Sequence, residues 1–151
     1  RHPMAISSLK DLIDGEFKTI IEDDDVKQEK VEKIILCSGK VFYDLDKRRK
    51  ELKIKNVGIL RMEQLYSFPY DDLEKSLLKY SNTKDYIWCQ EEPANQGAWF
   101  SHRHRIQRVL DRFSSNQIRL VSRPSASAPA VGLNKLHKIQ QEALIEEALK
   151  S

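Results

Sequence analysis

Four short apolar runs, each separated from the next by a longer charged stretch, constrain the fold of this chain more than any other feature. They cover residues 33–37, 56–60, 85–89 and 117–121. Short continuous apolar runs are typical of strands that are buried on both faces of a parallel sheet. Helical spacing between the runs favours β-α-β crossovers. The sequence therefore predicts an α/β fold, a three-layer sandwich in which helices cover both faces of a mostly parallel sheet.

Four apolar stripes predict the helices that connect and follow these strands. Within each stripe the apolar residues recur at three- and four-residue intervals, so they fall on one face of a helix. The last stripe predicts an amphipathic helix that closes the chain. The four stripes are Val41, Phe42, Leu45 and Leu52; Leu73, Leu77 and Leu78; Ile106, Val109, Leu110 and Phe113; and Leu133, Leu136, Ile139 and Ala143.

The amino-terminal part differs from this pattern. We expect residues 1–30 to be a lead-in segment and linker, and residues 31–151 to form the domain. Ser7 and Ser8 can cap a short helix that continues to Leu12. The acidic run at 22–25 and the mixed charges at 27–30 predict a solvated connector.

Composition excludes several classes of function. The net charge is +3, from 26 basic and 23 acidic residues that are mixed along the chain. No global electrostatic field therefore indicates nucleic-acid binding. No apolar stretch approaches the roughly 20 residues that a membrane-spanning helix needs. The two cysteines, Cys37 and Cys89, support neither a disulfide framework nor a zinc site, and they fit a reducing compartment. The chain begins with Arg1 rather than methionine, so we expect a fragment of a longer protein.

Polar residues follow each apolar run, and those after Trp88 are the densest set. Gln90, Glu91 and Glu92 lie between Trp88 and Trp99. Because the ends of parallel strands meet at one edge of a sheet, such residues can form a ligand site. Across the four ends, three carboxylates face three cations, Lys40, Arg61 and Arg123. This balance favours a network of ion pairs and caps, with a ligand-binding edge and a contact surface as the alternatives.

Other candidate motifs are incomplete. The segment Ser38-Gly39-Lys40 lacks the upstream glycine and the following hydroxyl of a phosphate-binding loop. No GxSxG sequence supports a nucleophilic serine. His102 and His104 predict a solvent-facing or interface basic patch rather than a metal site, because arginines surround them. Residues 122–132 have the composition of a linker, although a compact ordered loop is an equal alternative.

Five ordered motifs, taken together, resemble a known family. Their order and spacing match the carboxyl-terminal domain of the thiamine-dependent, decarboxylating first component of 2-oxoglutarate dehydrogenase. The resemblance covers essentially the whole chain, including the lead-in at residues 1–17. The motifs are LCSGKVFYDL (36–45), RMEQLYSFP (61–69), WCQEEPANQGAWF (88–100), RPSASAPAVG (123–132) and LHKIQQE (136–142).

The resemblance implies a domain like the carboxyl-terminal domain of transketolase, with one antiparallel strand in its mixed sheet. In the parent enzyme, thiamine diphosphate and magnesium bind between the two preceding domains of a homodimer. The enzyme decarboxylates 2-oxoglutarate in the tricarboxylic acid cycle and passes succinyl to lipoyl-lysine on the dihydrolipoyl succinyltransferase core. The catalytic motifs lie upstream, so this fragment alone is expected to be inactive, with no catalytic residue, cofactor site or metal site of its own.

The resemblance also assigns roles to residues near the strand ends. Lys40, Gln90 and Arg123 are candidates for a regulatory nucleotide or acyl-CoA site. The expected compartment is the bacterial cytoplasm or the mitochondrial matrix. Two alternatives stay open, the same domain of a 2-oxoadipate dehydrogenase and a free-standing nucleotide- or acyl-CoA-binding module. The candidates for an interdomain or dimer hub are Gln90, Glu91, Glu92, Asn95, Gln96 and Trp99.

Overall fold

Strands and helices alternate along most of the chain. In the computed structural model, which describes Ile6, Ile13 and residues 15–150, five strands and four helices are defined. A single 3₁₀ turn at Gln28–Lys30 precedes the second strand. The elements are β1 (Ile20–Ile21), β2 (Lys33–Cys37), α1 (Val41–Glu51), β3 (Val57–Met62), α2 (Tyr70–Leu78), β4 (Asp85–Pro93), α3 (Trp99–Leu110), β5 (Ile118–Arg123) and α4 (Asn134–Leu149).

The five strands form one mixed sheet in the order β1-β3-β2-β4-β5. Strands β2, β3, β4 and β5 are parallel, and they are the four predicted apolar runs. The chain turns from one side of β2 to the other between β3 and β4, which makes the sheet doubly wound. The antiparallel strand is β1, which pairs with Met62 and Arg61 of β3. The predicted fold class, a three-layer α/β sandwich around a mostly parallel mixed sheet, is confirmed.

Alternating side chains of the central strand supply the two halves of the core. Ile34 and Leu36 pack on one face, in a cluster that includes Trp88 and the buried residues of α2 and α3. Ile35 and Cys37 pack on the other, with the buried residues of α1 and α4. All four side chains have no exposed surface. This pattern explains the continuous apolar run, because both faces of a crossover sheet are covered.

The segment before β2 is part of the sheet and of its edge. Strand β1 comes from the predicted lead-in, and Asp23 lies just after it with only 8% of its surface exposed. The prediction of a solvated connector is therefore wrong at Asp23, because its carboxylate accepts a hydrogen bond from the backbone of Ile59 at 2.8 Å. The predicted helix start at residues 7–12 lies outside the described residues.

Helix α4 buries a different stripe from the predicted one. Leu133, Leu136 and Ile139 are 70%, 42% and 54% exposed, and Ala143 is also exposed. The sheet is covered instead by the second half of the helix, because four apolar residues there lie at spacings that also share a face. Those buried residues are Leu144, Ile145, Ala148 and Leu149. No helix among the described residues is long and apolar enough to cross a membrane.

Candidate functional site at the carboxyl edge of the sheet

Strand β4 continues beyond the apolar run that predicted it. Gln90, Glu91 and Glu92 lie inside the strand, which ends at Pro93 rather than at Cys89. Pairing with β5 continues through a register shift between Cys89 and Pro93. The strand continues past the apolar run because the backbone N–H and C=O groups beyond Cys89 still need hydrogen-bond partners. The irregular pairing places three polar residues together at the carboxyl edge.

The Gln90 side chain is the centre of this edge. It is 3% exposed, and its Oε1 accepts hydrogen bonds from the Trp88 indole at 3.0 Å and from the Trp99 backbone at 3.1 Å. Its Nε2 donates to the Gln96 carbonyl at 2.7 Å and to the Pro93 carbonyl at 3.2 Å. We call these five residues the Gln90 cluster. Every hydrogen-bonding direction of the amide is used inside the chain.

Gly97 allows the loop to close over this amide. It adopts a φ of +69°, a conformation that favours glycine. A Cβ at this position would lie 2.9 Å from Gln90 Nε2 and 3.0 Å from its Oε1. The loop between β4 and α3 therefore depends on glycine for both its backbone conformation and its close approach to Gln90.

A second loop packs on the first through Asn95 and Gln96. The Asn95 and Gln96 amides both donate to the Ala126 carbonyl at 3.0 Å, and Asn95 accepts from the Ala126 backbone N–H. The Arg123 guanidinium donates to the carbonyls of Glu91 and Pro129. These bonds decide between the two predictions for residues 122–132 in favour of an ordered loop.

Ion pairs account for most of the remaining charge. Lys40 Nζ lies 3.0 Å from Glu91 Oε1, and Arg61 Nε lies 2.7 Å from Glu63 Oε1. The Arg61 guanidinium also lies 4.8 Å from the ring centre of Phe42, at cation–π distance. The predicted network of ion pairs is confirmed for these two pairs. Glu92 is exposed.

The three residues predicted for a regulatory ligand do not line one cavity. A cavity of about 460 Å³ lies where the sheet reverses its winding, between the turn at residues 38–39 and the end of β4. Gln90 lines it, together with Trp88 and Glu92, whereas Lys40 and Arg123 do not. Lys40 and Arg123 lie instead on two sides of Glu91, one at its carboxylate and one at its carbonyl.

The two histidines differ in their surroundings. His104 and Arg103 are exposed, as predicted for a basic patch. His102 is half-buried, with Nε2 at 2.9 Å from the Leu65 carbonyl and its ring 5.9 Å from that of Phe68. Of the predicted patch, solvent-facing or at an interface, His102 is thus the less exposed histidine, because the turn after β3 packs on this face of α3. Within the described residues no three His, Cys, Asp or Glu side chains could hold a metal ion.

Both cysteines lie inside the sheet beside each other in register. Burial, followed by the charge of Glu91, raises the pKa of Cys89 to about 12. Burial also raises the pKa of Cys37 well above its ordinary value. Both thiols therefore stay protonated at neutral pH, and the nucleophile in cysteine chemistry is the thiolate. Their environment is that of core residues.

A second buried polar cluster, which the sequence did not predict, lies on the other side of β2 from Gln90. Arg49 is 2% exposed and pairs with Asp23 and with Asp46, the latter at 2.9 Å. It also donates to the Val57 carbonyl at 3.1 Å. We call Asp23, Asp46 and Arg49 the Arg49 cluster. Its members lie in charged runs that predict solvent exposure, and the only signal was the spacing of Asp46 and Arg49 on one helix face.

The fold and this edge together define a class of protein, a doubly wound α/β domain whose carboxyl edge is occupied by its own side chains. Residues 6–149 match the family described as 2-oxoglutarate dehydrogenase C-terminal, and the chain belongs to that family. This confirms the resemblance that the five motifs indicated.

Individual relatives are similar over nearly the whole chain. The 2-oxoglutarate dehydrogenase E1 component of Haemophilus influenzae is 45% identical over 150 residues, which are 99% of this chain and 16% of that protein. The E1 component of Coxiella burnetii is 44% identical over 153 residues, again 99% and 16%. The 2-oxoadipate dehydrogenase complex component E1 of Xenopus laevis is 41% identical over 152 residues, with the same coverage. The chain thus spans about one sixth of the length of these relatives.

Proposed function

We propose that this chain is the carboxyl-terminal domain of a 2-oxoglutarate dehydrogenase E1 component, with a structural and regulatory role rather than a catalytic one. The observation that carries the proposal is that the three residues predicted to bind a ligand at the carboxyl edge are engaged within the chain. Gln90, Lys40 and Arg123 each engage atoms of this chain. An edge of this kind stabilises loops and presents a fixed surface to neighbouring domains.

The complete enzyme then supplies the chemistry. Thiamine diphosphate and magnesium would be held by the preceding domains of a homodimer, where the cofactor would supply the chemistry of decarboxylation. The succinyl product would pass to lipoyl-lysine of the succinyltransferase core, in the bacterial cytoplasm or the mitochondrial matrix. Identity of 42–45% to the 2-oxoglutarate relatives, against 41% and 40% to the 2-oxoadipate relatives, favours 2-oxoglutarate as the substrate.

The hub role is proposed for the outer members of the edge. Glu92 and Asn95 are exposed and Gln96 is half-buried, and the carbonyls of Glu92 and Gln96 accept from the buried Gln90 amide. Trp99 is half-buried, and Glu91 pairs with Lys40. The inner amide would fix the shape of this surface, and the outer side chains would contact the neighbouring domain or the second subunit.

A complete polypeptide that carries this chain tests the proposal. We expect it to release carbon dioxide from 2-oxoglutarate with added thiamine diphosphate and magnesium, and the 151-residue chain alone to release none. Glu91→Ala should lower the unfolding temperature or weaken the dimer, because it removes a half-buried carboxylate that pairs with Lys40, while Glu92→Ala serves as a matched control on an exposed carboxylate. A Glu91→Ala enzyme that stays folded and dimeric but loses only turnover would contradict a structural role.

A second candidate function is supported by the cavity beside Gln90. Its place at the reversal of the sheet is where doubly wound domains bind ligands. A regulatory nucleotide or acyl-CoA in this cavity would engage Lys40 and Arg123 only if each exchanged its present partner for the ligand. Isothermal calorimetry of the chain with AMP and acetyl-CoA tests this function. Heat that disappears in Lys40→Ala would support it, and no heat at millimolar ligand would exclude it.

A further inference from the structure

The basic residues of α1 and α3 differ in how they are neutralised. Helix α1 contains a run of cations at residues 47–50, and each of them lies within 4.0 Å of a carboxylate. Helix α3 contains Arg103, Arg105 and Arg108, and none of them lies at ion-pair distance from a carboxylate within the described part of the chain. Helix α3 therefore carries positive charge that this domain does not neutralise.

Two of these arginines share an exposed face of α3. At about 100° per residue, Arg105 lies roughly 60° from Arg108 around the helix axis, and His104 lies roughly 40° from it on the other side. His104 and Arg108 are exposed, and Arg105 is half-buried. Arg103 lies roughly 140° from Arg108, on a different side of the helix. We call His104, Arg105 and Arg108 the α3 basic face.

Arg105 is held in position by a partner that carries no charge. Its Nη1 donates to the Tyr70 hydroxyl of α2 at 3.2 Å. The Tyr70 ring packs edge-on against the buried Phe68, with ring centres 4.7 Å apart. A guanidinium that is already oriented loses less conformational entropy when it binds an anion. The contact with Tyr70 thus orients the charge of Arg105 without neutralising it.

The helix dipole accounts for only part of this charge. Arg108 lies in the last turn of α3, where the partial negative charge of the helix end favours a cation. His104 and Arg105 lie near the middle of the helix, and the effect of the dipole falls off within one turn. Stabilisation of the helix therefore explains Arg108 but not the α3 basic face as a whole.

We infer that the α3 basic face binds an acidic segment of a partner protein, whose carboxylates pair with Arg105 and Arg108. The two arginines are separated by about 4.5 Å along the helix axis. Carboxylates that recur every three or four residues on a helix of the partner have a matching separation, about 4.5–6 Å. Arginine binds a carboxylate through two parallel hydrogen bonds, so each pair is directional as well as attractive. The inference does not depend on the proposed enzyme.

Carboxylates that border the α3 basic face favour a protein segment over a nucleic acid. Asp111 is exposed and lies roughly 60° from Arg108 around the axis. One turn beyond Arg108, the charge of Arg112 is neutralised by Glu74 of α2. A phosphate backbone carries a charge at every nucleotide and would meet these acids, whereas a protein segment can place its carboxylates at the two arginines alone.

A synthetic helical peptide tests the inference on the 151-residue chain. The probe consists of alanine and glutamine with glutamates at every fourth position, and the control peptide has glutamine in place of each glutamate. The isotope-labelled chain is titrated with each peptide and followed by heteronuclear NMR. We expect the acidic peptide to shift the α3 amides with a Kd of about 1 mM at low salt, weakened roughly 10-fold at ~0.5 M salt. No shifts at about 5 mM, or equal shifts with the control peptide, would overturn the inference.

Arg108→Glu and Arg103→Glu distinguish the α3 basic face from net charge. Both variants change the net charge equally and lie on the same helix, but only Arg108 belongs to the face. Arg108→Glu should weaken binding of the acidic peptide at least ~5-fold, and Arg103→Glu should weaken it less than ~2-fold. Circular dichroism and the urea midpoint confirm that both are folded. Equal losses in the two variants would contradict a defined site.

Tyr70→Phe tests the positioning of Arg105 at constant charge. It removes the hydroxyl that orients the guanidinium, so the acidic peptide should bind roughly 2–3-fold more weakly. Unchanged affinity would contradict the role given to Arg105.

Exchange of charge on both sides tests direct pairing. The double variant Arg105→Glu, Arg108→Glu should bind a peptide with lysine in place of each glutamate at least ~5-fold more tightly than the unsubstituted chain does. A lysine peptide that binds both chains equally would show that the side chains do not pair. If a single-stranded oligonucleotide of the same charge bound the unsubstituted chain more tightly than the acidic peptide, the partner would be a nucleic acid and the inference would be wrong.

Discussion

The Arg49 cluster and the Gln90 cluster solve the same problem with different chemistry. Each lies at a place where regular backbone pairing ends, and each supplies the missing hydrogen bonds from a buried side chain. The Arg49 cluster uses full charges, with one guanidinium between two carboxylates. The Gln90 cluster uses one neutral amide that accepts twice and donates twice.

The difference lies in how each centre responds to loss of one partner and to pH. Removing one ion from a buried cluster leaves an uncompensated charge, which is more costly than an unpaired neutral group. Burial opposes the charge of Arg49, but Asp23 and Asp46 outweigh it and raise the pKa of the guanidinium. The Gln90 amide, in contrast, does not titrate. The ionic centre should therefore be the more fragile of the two.

The largest effect is expected from Arg49→Met. It leaves the buried carboxylate of Asp23 without its cation and leaves Asp46 with Lys50 alone, at 2.8 Å, so we expect a loss of about 3–5 kcal/mol in the free energy of unfolding. Urea denaturation followed by tryptophan fluorescence measures this loss.

Neutralising the carboxylates as well provides the control for Arg49. In the triple variant Arg49→Met, Asp23→Asn and Asp46→Asn no charge is left unpaired, so part of the stability should return. The Asp23→Asn change keeps a side-chain oxygen that can accept from the Ile59 backbone. If the triple variant were less stable than Arg49→Met alone, charge would not be the reason for the loss.

Substitution of Gln90 is expected to have the next largest effect. Gln90→Met removes the acceptor for the Trp88 indole and the donor to two carbonyls, at a cost of about 1–3 kcal/mol that does not change between about pH 5 and 8. Gln90→Glu should cost more at about pH 7, because a carboxylate oxygen would face the Gln96 and Pro93 carbonyls.

The two Gln90 variants should differ in their response to acid. The carbonyls raise the pKa of the new carboxyl in the folded state, so the folded protein binds a proton more readily than the unfolded one. Stability of Gln90→Glu should then rise as the pH falls through that raised pKa. Equal pH profiles for Gln90→Glu and Gln90→Met would show that the amide donor is not needed.

Alanine substitutions at three glycines distinguish the cost of backbone strain from the cost of contact with Gln90. Gly97→Ala combines a positive φ with a Cβ at 2.9 Å from the Gln90 amide. Gly39→Ala has a positive φ of 74° but no heavy atom within 4 Å of the added Cβ. We expect a cost of about 1 kcal/mol for Gly39→Ala and about 1 kcal/mol more for Gly97→Ala. Gly132→Ala has neither feature and should leave the free energy of unfolding unchanged. Equal losses of stability for Gly39→Ala and Gly97→Ala would show that contact with Gln90 adds nothing to the cost.

The smallest effect is expected at an exposed ion pair. Burial opposes ionisation of Asp85, but Arg119 at 2.8 Å outweighs it and lowers its pKa below the ordinary 3.8. A lowered pKa contributes stability above the unfolded value, and this contribution is lost as the pH falls through the folded value. Arg119→Met should therefore cost about 0.2–1 kcal/mol at about pH 7, and this cost should shrink as the pH falls from 3.8 through the lowered folded value. Arg108→Met, which removes an exposed arginine, is the matched control for net charge.

The sequence predicted the elements whose pattern is periodic. The apolar runs predicted all four parallel strands, and the apolar stripes predicted the helices that connect them. Helices cover both faces of a crossover sheet, so the side chains of its strands are buried on both sides. Strand β1 was not found from periodicity, since two residues are too few to show a period. The predicted buried face of α4 was wrong because the helix contains two apolar stripes. Only the stripe within residues 144–149 packs on the sheet.

The polar sites were predictable only in part. The residues at the carboxyl edge were identified by type, because charge and amide groups after an apolar run are visible in a sequence. Their partners were not, since the bond from Gln90 to Trp99 depends on the register shift in β4 and on the turn at Gly97. Asp23 was missed because its partners are distant in sequence, at Arg49 and Ile59.

The position of Asp23 has a consequence for how this protein behaves at high concentration. Strand β3 would offer its unpaired Ile59 N–H and Val57 carbonyl to a strand from another molecule once β1 ends at Ile21. Asp23 and Arg49 occupy that donor and that acceptor. The side chains of Asp23 and Arg49 thus protect this part of the β3 edge from pairing with a strand of another molecule. Loss of Arg49 should therefore promote aggregation as well as unfolding.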